Sequence, residues 1–190
     1  MEVAAVLVAA YVLGAIPTSY VVVYALTGRD IRGMGTGNPG TMNVLDSVGL
    51  RAALIVAAGD VSKGMAAVTL AYAAGLSDSV AVLAGMIAVL GHDYSVFLRL
   101  DGGNGTAAAF GALIALLPRE TLLMAALGFA VWGLTRQRRI GGLVGLAAFV
   151  PLWVVSQEPE VKVVGSMVIV GFTLLKIIRF EGFQPARGGR

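Results

Sequence analysis

A chain of 190 residues in which 57% are hydrophobic and 13% charged lies far outside the composition of water-soluble domains, where about a quarter of residues carry charge. The absence of cysteine excludes disulfides and thiolate metal sites, and a single histidine excludes a multi-histidine metal centre. The net charge of +3 is small, so the placement of the charges matters more than their sum.

A helix of roughly 20 apolar residues crosses a hydrocarbon core of about 30 Å. The first run of that length is Val3 to Leu26. It lacks a basic leader and is too long for a cleaved signal peptide, so it reads as a retained helix. Ala52 to Ala74 forms a second helix, interrupted by Asp60 and Lys63, and Ser79 to Leu98 a third. Gly105 to Leu117 is apolar but short. Thr121 to Leu134 follows Pro118-Arg119-Glu120, and Gly141 to Ser156 and Val161 to Ile178 complete the set. Short spans are tolerated in membranes at modest cost. Glycines such as Gly85, Gly128 and Gly145 let helices pack closely in lipid. The expected architecture is all-α and polytopic, with about seven transmembrane helices. Residues 1–182 form one transmembrane domain and 183–190 a short basic cytoplasmic tail.

Orientation follows from the sorting of Lys and Arg between alternate loops. One side collects Arg29, Arg32, Arg51, Arg99, Arg136, Arg138, Arg139, Lys176, Arg179, Arg187 and Arg190, whereas the other has Arg119 and Lys162. Such a bias places the N-terminus outside and the C-terminus in the cytoplasm, in a cell membrane.

Two of the loops on the basic side have unusual composition. The first reads Gly35-Thr36-Gly37-Asn38-Pro39-Gly40-Thr41-Met42-Asn43. Its clustered glycines expose backbone N–H groups that can cradle an anion, although Asn-Pro-Gly is also ordinary turn chemistry. Asn43 is placed either to cap the following segment or to hold a ligand. The second contains Gly91-His92-Asp93-Tyr94 and then Gly102-Gly103-Asn104-Gly105, which opens directly into a helix. Helix N-termini bind phosphate through free N–H groups and the macrodipole; a flexible turn between packed helices is the alternative. His92 suits either an interfacial packing role or acid–base chemistry. Asp60 and Lys63, at i and i+3, share one helix face. They form either a structural ion pair or a substrate contact, in both cases turned toward a polar interior.

Taken together these motifs resemble the bacterial acyl-phosphate:glycerol-3-phosphate acyltransferases, the PlsY family. The resemblance runs from about residue 11 to 115. It is carried by Tyr11 to Tyr20, by Asp30-Ile31-Arg32 with Gly35 to Asn43, by Asp60-Val61-Ser62-Lys63-Gly64, and by Gly91-His92, Val96-Phe97-Leu98 and Gly102-Gly103-Asn104-Gly105. It implies a seven-helix membrane enzyme with cytoplasmic active-site loops. Its substrates are acyl phosphate and glycerol 3-phosphate, met at the membrane lipid, and its product is lysophosphatidate, the start of phospholipid synthesis. No cofactor, metal or nucleic acid takes part, and the oligomeric state is left open. By the same resemblance Thr36, in place of the family's serine, and His92 are catalytic. Gly35, Gly37, Asn38, Gly40, Asn43, Lys63, Arg99, Gly102, Gly103, Asn104 and Gly105 bind substrate. The His–Asp spacing of other glycerolipid acyltransferases does not follow His92.

The chain also departs from that pattern. Asp46 stands where the family has a phosphate-holding arginine, and Asn104 where it has a lysine. The family's third signature, an Arg-His-Arg run with a following Asn, has no counterpart in Leu174-Leu175-Lys176-Ile177-Ile178-Arg179-Phe180-Glu181-Gly182. Two readings therefore stand: an acyltransferase, with the family's acceptor or a changed one, or a catalytically impaired relative that binds lipid or a partner protein.

Overall fold

In the computed structural model, which describes residues 2–183, every regular element is helical. The order is α1 (Glu2–Ala15), α2 (Thr18–Thr27), a 3-10 turn (Ile31–Gly33), α3 (Thr41–Ser47), α4 (Leu50–Ala73) and α5 (Asp78–Asp93). A second 3-10 turn (Val96–Leu98), α6 (Thr106–Leu116), α7 (Pro118–Thr135), α8 (Arg138–Val154) and α9 (Glu160–Phe183) follow. The expected basic tail with Arg187 and Arg190 lies outside the described residues.

Among the described residues, four segments are long and apolar enough to cross a membrane: Glu2–Thr27, Leu50–Ala73, Asp78–Leu98 and Glu160–Arg179. Thr106–Leu116 and Ile140–Leu152 are apolar but shorter. The first span is not one continuous helix. Proline lacks an N–H and disfavours helical conformation in the residue before it, so Pro17 divides the run into α1 and α2. Elsewhere proline and glycine act as punctuation: Pro118 opens α7, and Gly28, at φ +67°, closes α2 in the left-handed region.

The packing is that of a protein in lipid. Small residues fill the interior, with Ala10, Ala67, Ala71, Ala84, Ala88, Ala108 and Ala112 fully buried. Large ones such as Val8, Leu54, Phe129 and Leu134 face outward. Close helix approach depends on glycine. A side chain at Gly14 would strike the backbone of Ala88, which packs α1 on α5; one at Gly64 would strike Ala108, and one at Gly111 would strike Val61, which packs α4 on α6. A second apolar cluster of Val23, Ile31, Val44, Ala52, Ala53 and Val56 ties the first glycine loop to α2 and α4.

Polar contacts gather at the two ends of the bundle. At one end Lys162 meets Glu158 at 2.9 Å and Asp78 at 4.0 Å. The other end, where α2, α5 and α9 finish and α4 and α6 begin, carries both glycine loops.

Candidate active site

The site is built around the interruption at Pro17. A helix end leaves its last carbonyls without intrahelical donors, and two side chains from elsewhere, Lys63 of α4 and Ser95 just past α5, donate to carbonyls there. Lys63 Nζ donates to Ile16 O at 3.0 Å, and Ser95 Oγ donates to Ala15 O. Lys63 also lies 2.9 Å from Asp60 Oδ1, and His92 Nδ1 is 3.7 Å from the same oxygen. Asp60, Lys63 and His92 are each less than a tenth exposed. The two charges in the middle of α4, Asp60 and Lys63, therefore point into the bundle, as the cost of exposing them to acyl chains requires.

Past the end of α5 the chain folds back over His92. Gly102 N–H donates to Asp93 O at 3.1 Å and Gly103 N–H to His92 O at 3.2 Å. A side chain at Gly103 would strike His92 Nε2, so glycine there lets the turn lie flat on the imidazole. Gly105, at φ +69°, leads into α6; a Cβ there would come within 2.7 Å of Asp93 Oδ1. Asp93 is fully buried and neither carboxylate oxygen has a hydrogen-bond partner. It sits at the start of α6, where the helix dipole favours negative charge.

Asn43 organises the first loop. Its Oδ1 accepts from Thr36 N–H at 3.0 Å and Ser47 Oγ at 3.2 Å. Its Nδ2 donates to Ile31, Met34 and Asn38 carbonyls at 3.3, 3.0 and 2.9 Å. Ser19 Oγ donates to Pro39 O at 2.8 Å and docks the loop on α2. Much of the loop backbone is already committed, with Gly37 N–H donating to Met34 O and Gly40 N–H to Asn38 O. Gly35 and Gly37, at φ +51° and +79°, supply the tight reversals.

Arg32 straps the two loops together. Its Nε and Nη2 bind the Asp30 carboxylate at 2.7–3.2 Å. Its Nη1 donates to Leu98 O at 3.2 Å and lies 3.8 Å from Asp101 Oδ2. The hydrogen bond from Arg32 holds the Asp30 carboxyl below its ordinary range, and the same bond raises Arg32.

Between the loops and the helix break lies a narrow cavity whose lining includes Pro17, Ser19, Pro39, Lys63, His92 and Gly103. About 10 Å³ of it is open to the centre of a water molecule, room for roughly one water. Beside it a wider apolar groove of about 520 Å³ runs between α1 and α5, lined by Leu7, Val8, Tyr11, Ile87, Leu90 and Tyr94. Tyr11 Oη donates to Tyr94 O at 2.8 Å, and Lys176 Nζ of α9 rests 4.0 Å above the Tyr94 ring.

Of the residues singled out from the sequence, Lys63, His92 and Gly103 meet at one cavity. Gly102 and Gly105 complete the turn around it, with Asn104 half-buried between. Thr36 and Arg99 lie on the exposed surface of their loops. Asn38 N–H lies 3.4 Å from Thr36 Oγ1. Ser19, Ser95, Asp93 and Lys176 were not singled out. Asp93 and Ser95 lie beside His92 in the chain and Ser19 lies within the Tyr11–Tyr20 motif, but nothing local in the sequence brings Lys176 to them. Among the described residues no three carboxylate or imidazole groups converge as a metal site.

A multi-pass helical membrane protein whose buried Asp–Lys–His cluster lies under two paired glycine loops belongs to a narrow class, and comparison with known proteins identifies it. Residues 4–182 match the glycerol-3-phosphate acyltransferase family, and the chain belongs to that family. A glycerol-3-phosphate acyltransferase of Thermus thermophilus is 46% identical over 158 residues, covering 79% of each chain. Two crystal structures of PlsY, an integral membrane glycerol 3-phosphate acyltransferase, share the fold. The glycerol 3-phosphate form superposes with a TM-score of 0.84 at 26% identity, over 100% of this chain and 96% of that one. The lysophosphatidic acid form gives 0.82 at 27% identity with the same coverage.

Proposed function

We propose that this chain acylates the sn-1 hydroxyl of glycerol 3-phosphate with acyl phosphate, at the end of the bundle that carries both glycine loops. It is a membrane glycerol-3-phosphate acyltransferase. The hydroxyl oxygen attacks the acyl carbonyl, an ester bond forms, and the acyl–phosphate bond breaks. Inorganic phosphate leaves, and the hydroxyl proton departs with the phosphate. The observation that carries this reading is the convergence of Pro39 and Gly103 from the two loops with Lys63 of α4 and His92 of α5 on one cavity.

In this reading His92 and Thr36 border the reacting atoms. His92 positions or relays the proton, and Thr36 offers a hydroxyl that both donates and accepts. Lys63 neutralises charge at the floor of the cavity. Arg99, Asn38 and the glycine backbones of both loops contact substrate when the loops part, and Asn43 serves the site by holding the first loop in shape. Parting is required because the cavity as it stands holds no more than about a water molecule. The chain is one transmembrane domain crossing a cell membrane seven times, with these loops, the C-terminus and a short basic tail on the cytoplasmic side. The eleven-to-two sorting of basic residues supports that orientation.

The test is an assay of purified full-length protein in detergent with lauroyl phosphate and glycerol 3-phosphate, following lysophosphatidate and released phosphate. Stoichiometric formation of both is expected. Binding of either substrate without turnover would overturn the reading in favour of a catalytically impaired relative.

A further inference from the structure

We infer that Lys176 of α9 holds the phosphate of the acyl-phosphate donor, at the point where the apolar groove meets the polar cluster. The inference rests on the acyltransferase reading above and assigns one of its substrates a residue.

The catalytic end needs a cation for a phosphate group; Arg29, Arg51 and Arg99 lie on its exposed surface, and two cations nearer the site, Lys63 and Arg32, are committed. Lys63 is bound to Asp60 and the Ile16 carbonyl. Arg32 is bound to Asp30 and the Leu98 carbonyl. Positions 46 and 104 carry a carboxylate and an amide. Lys176 differs. Among the described residues no carboxylate or hydrogen-bond acceptor engages its Nζ, which rests on the face of Tyr94 at 4.0 Å. A ring face holds an ammonium group more weakly than the charge-assisted hydrogen bonds a phosphate provides. Tyr94 is therefore a resting place from which Lys176 can move without breaking an ion pair.

Tyr94 also decides which phosphate. The same residue closes one end of the groove formed with Leu7, Val8, Tyr11, Ile87 and Leu90. A ligand with an acyl chain among those side chains places its head group beside Tyr94, within reach of Lys176. Glycerol 3-phosphate has no chain to lay there.

Binding of dodecyl phosphate, an unreactive donor analogue, and of dodecanol should be measured by calorimetry on the full chain in detergent. Wild type, Lys176→Met and Lys176→Arg are compared. Methionine keeps the length and apolar stem of the side chain and loses the charge. Lys176→Met should bind dodecyl phosphate at least tenfold more weakly and dodecanol equally, and Lys176→Arg should recover most of the loss. In steady-state assays the KM for lauroyl phosphate should rise by a similar factor, with the KM for glycerol 3-phosphate within twofold of wild type. Unchanged dodecyl phosphate affinity overturns the inference. So does a parallel loss of dodecanol binding, which would place the effect in the fold, and so does a rise confined to the KM for glycerol 3-phosphate. Failure of the wild type to turn over would count against the acyltransferase reading, while the calorimetry would still decide the role of Lys176.

Discussion

Replacing Lys63 by methionine tests the centre of the site most directly. The Nζ group holds two partners, Asp60 Oδ1 at 2.9 Å and Ile16 O at 3.0 Å, and both lysine and aspartate are almost fully buried. Removing one member of a buried ion pair costs about 3–5 kcal/mol, because the other charge is left uncompensated. The Ile16 carbonyl is part-buried and keeps the Thr18 N–H at 3.0 Å, so it adds little to that loss, and a value within that range is expected. Asp60→Asn alone strands the lysine and should also destabilise. The double variant Asp60→Asn/Lys63→Met removes both charges and should fall short of the sum of the singles by about 1–3 kcal/mol. Unfolding free energies from denaturing-detergent titration in mixed micelles, read by intrinsic fluorescence, give the cycle. Both single variants should also lose acyl transfer, since the pair supports the helix break that positions Ser19 and Pro39. Additivity within about 0.5 kcal/mol would show that Asp60 and Lys63 do not act as a unit, and the account of the cavity floor would fall.

Gly103→Ala places a methyl group against His92 Nε2 and should lower kcat/KM far more than stability, for which overpacking costs about 1–3 kcal/mol; unchanged turnover would remove His92 from the reaction. Gly64→Ala drives a methyl group into the Ala108 backbone and should separate α4 from α6, with a clear drop in Tm and expression that Gly133→Ala, where nothing lies within 4 Å, does not share. Because Arg32 holds the Asp30 carboxyl below its ordinary range, the stabilisation is present above the unfolded value near pH 3.9. It is lost as the pH falls through the lower folded value. Both side chains are about a third exposed, so the effect stays below about 1 kcal/mol. The fall in unfolding free energy between pH 6 and pH 3 should therefore be larger for wild type than for Arg32→Met, and equal falls would show that the strap does not operate.

Composition alone determines that this chain is a helical membrane protein, because 57% hydrophobic residues in long runs have no other place to go. The spacing of Asp60 and Lys63 determines that they share a face, and the order of the glycine motifs marks the family. These signals are legible because they are local: helix periodicity, run length and turn chemistry act over a few residues. Tertiary structure decides the rest. The interruption at Pro17 becomes a feature of the site only when Lys63 of α4 and Ser95, just past α5, arrive to donate to its carbonyls. Asn43 can be read from sequence as a cap or a ligand contact, but the fold commits both ends of its amide to the loop itself. Lys176 counts in the sequence only as one more basic residue near a helix end. Its place above Tyr94, across 82 residues of chain, depends on the packing of α9 against α5, which no local pattern encodes.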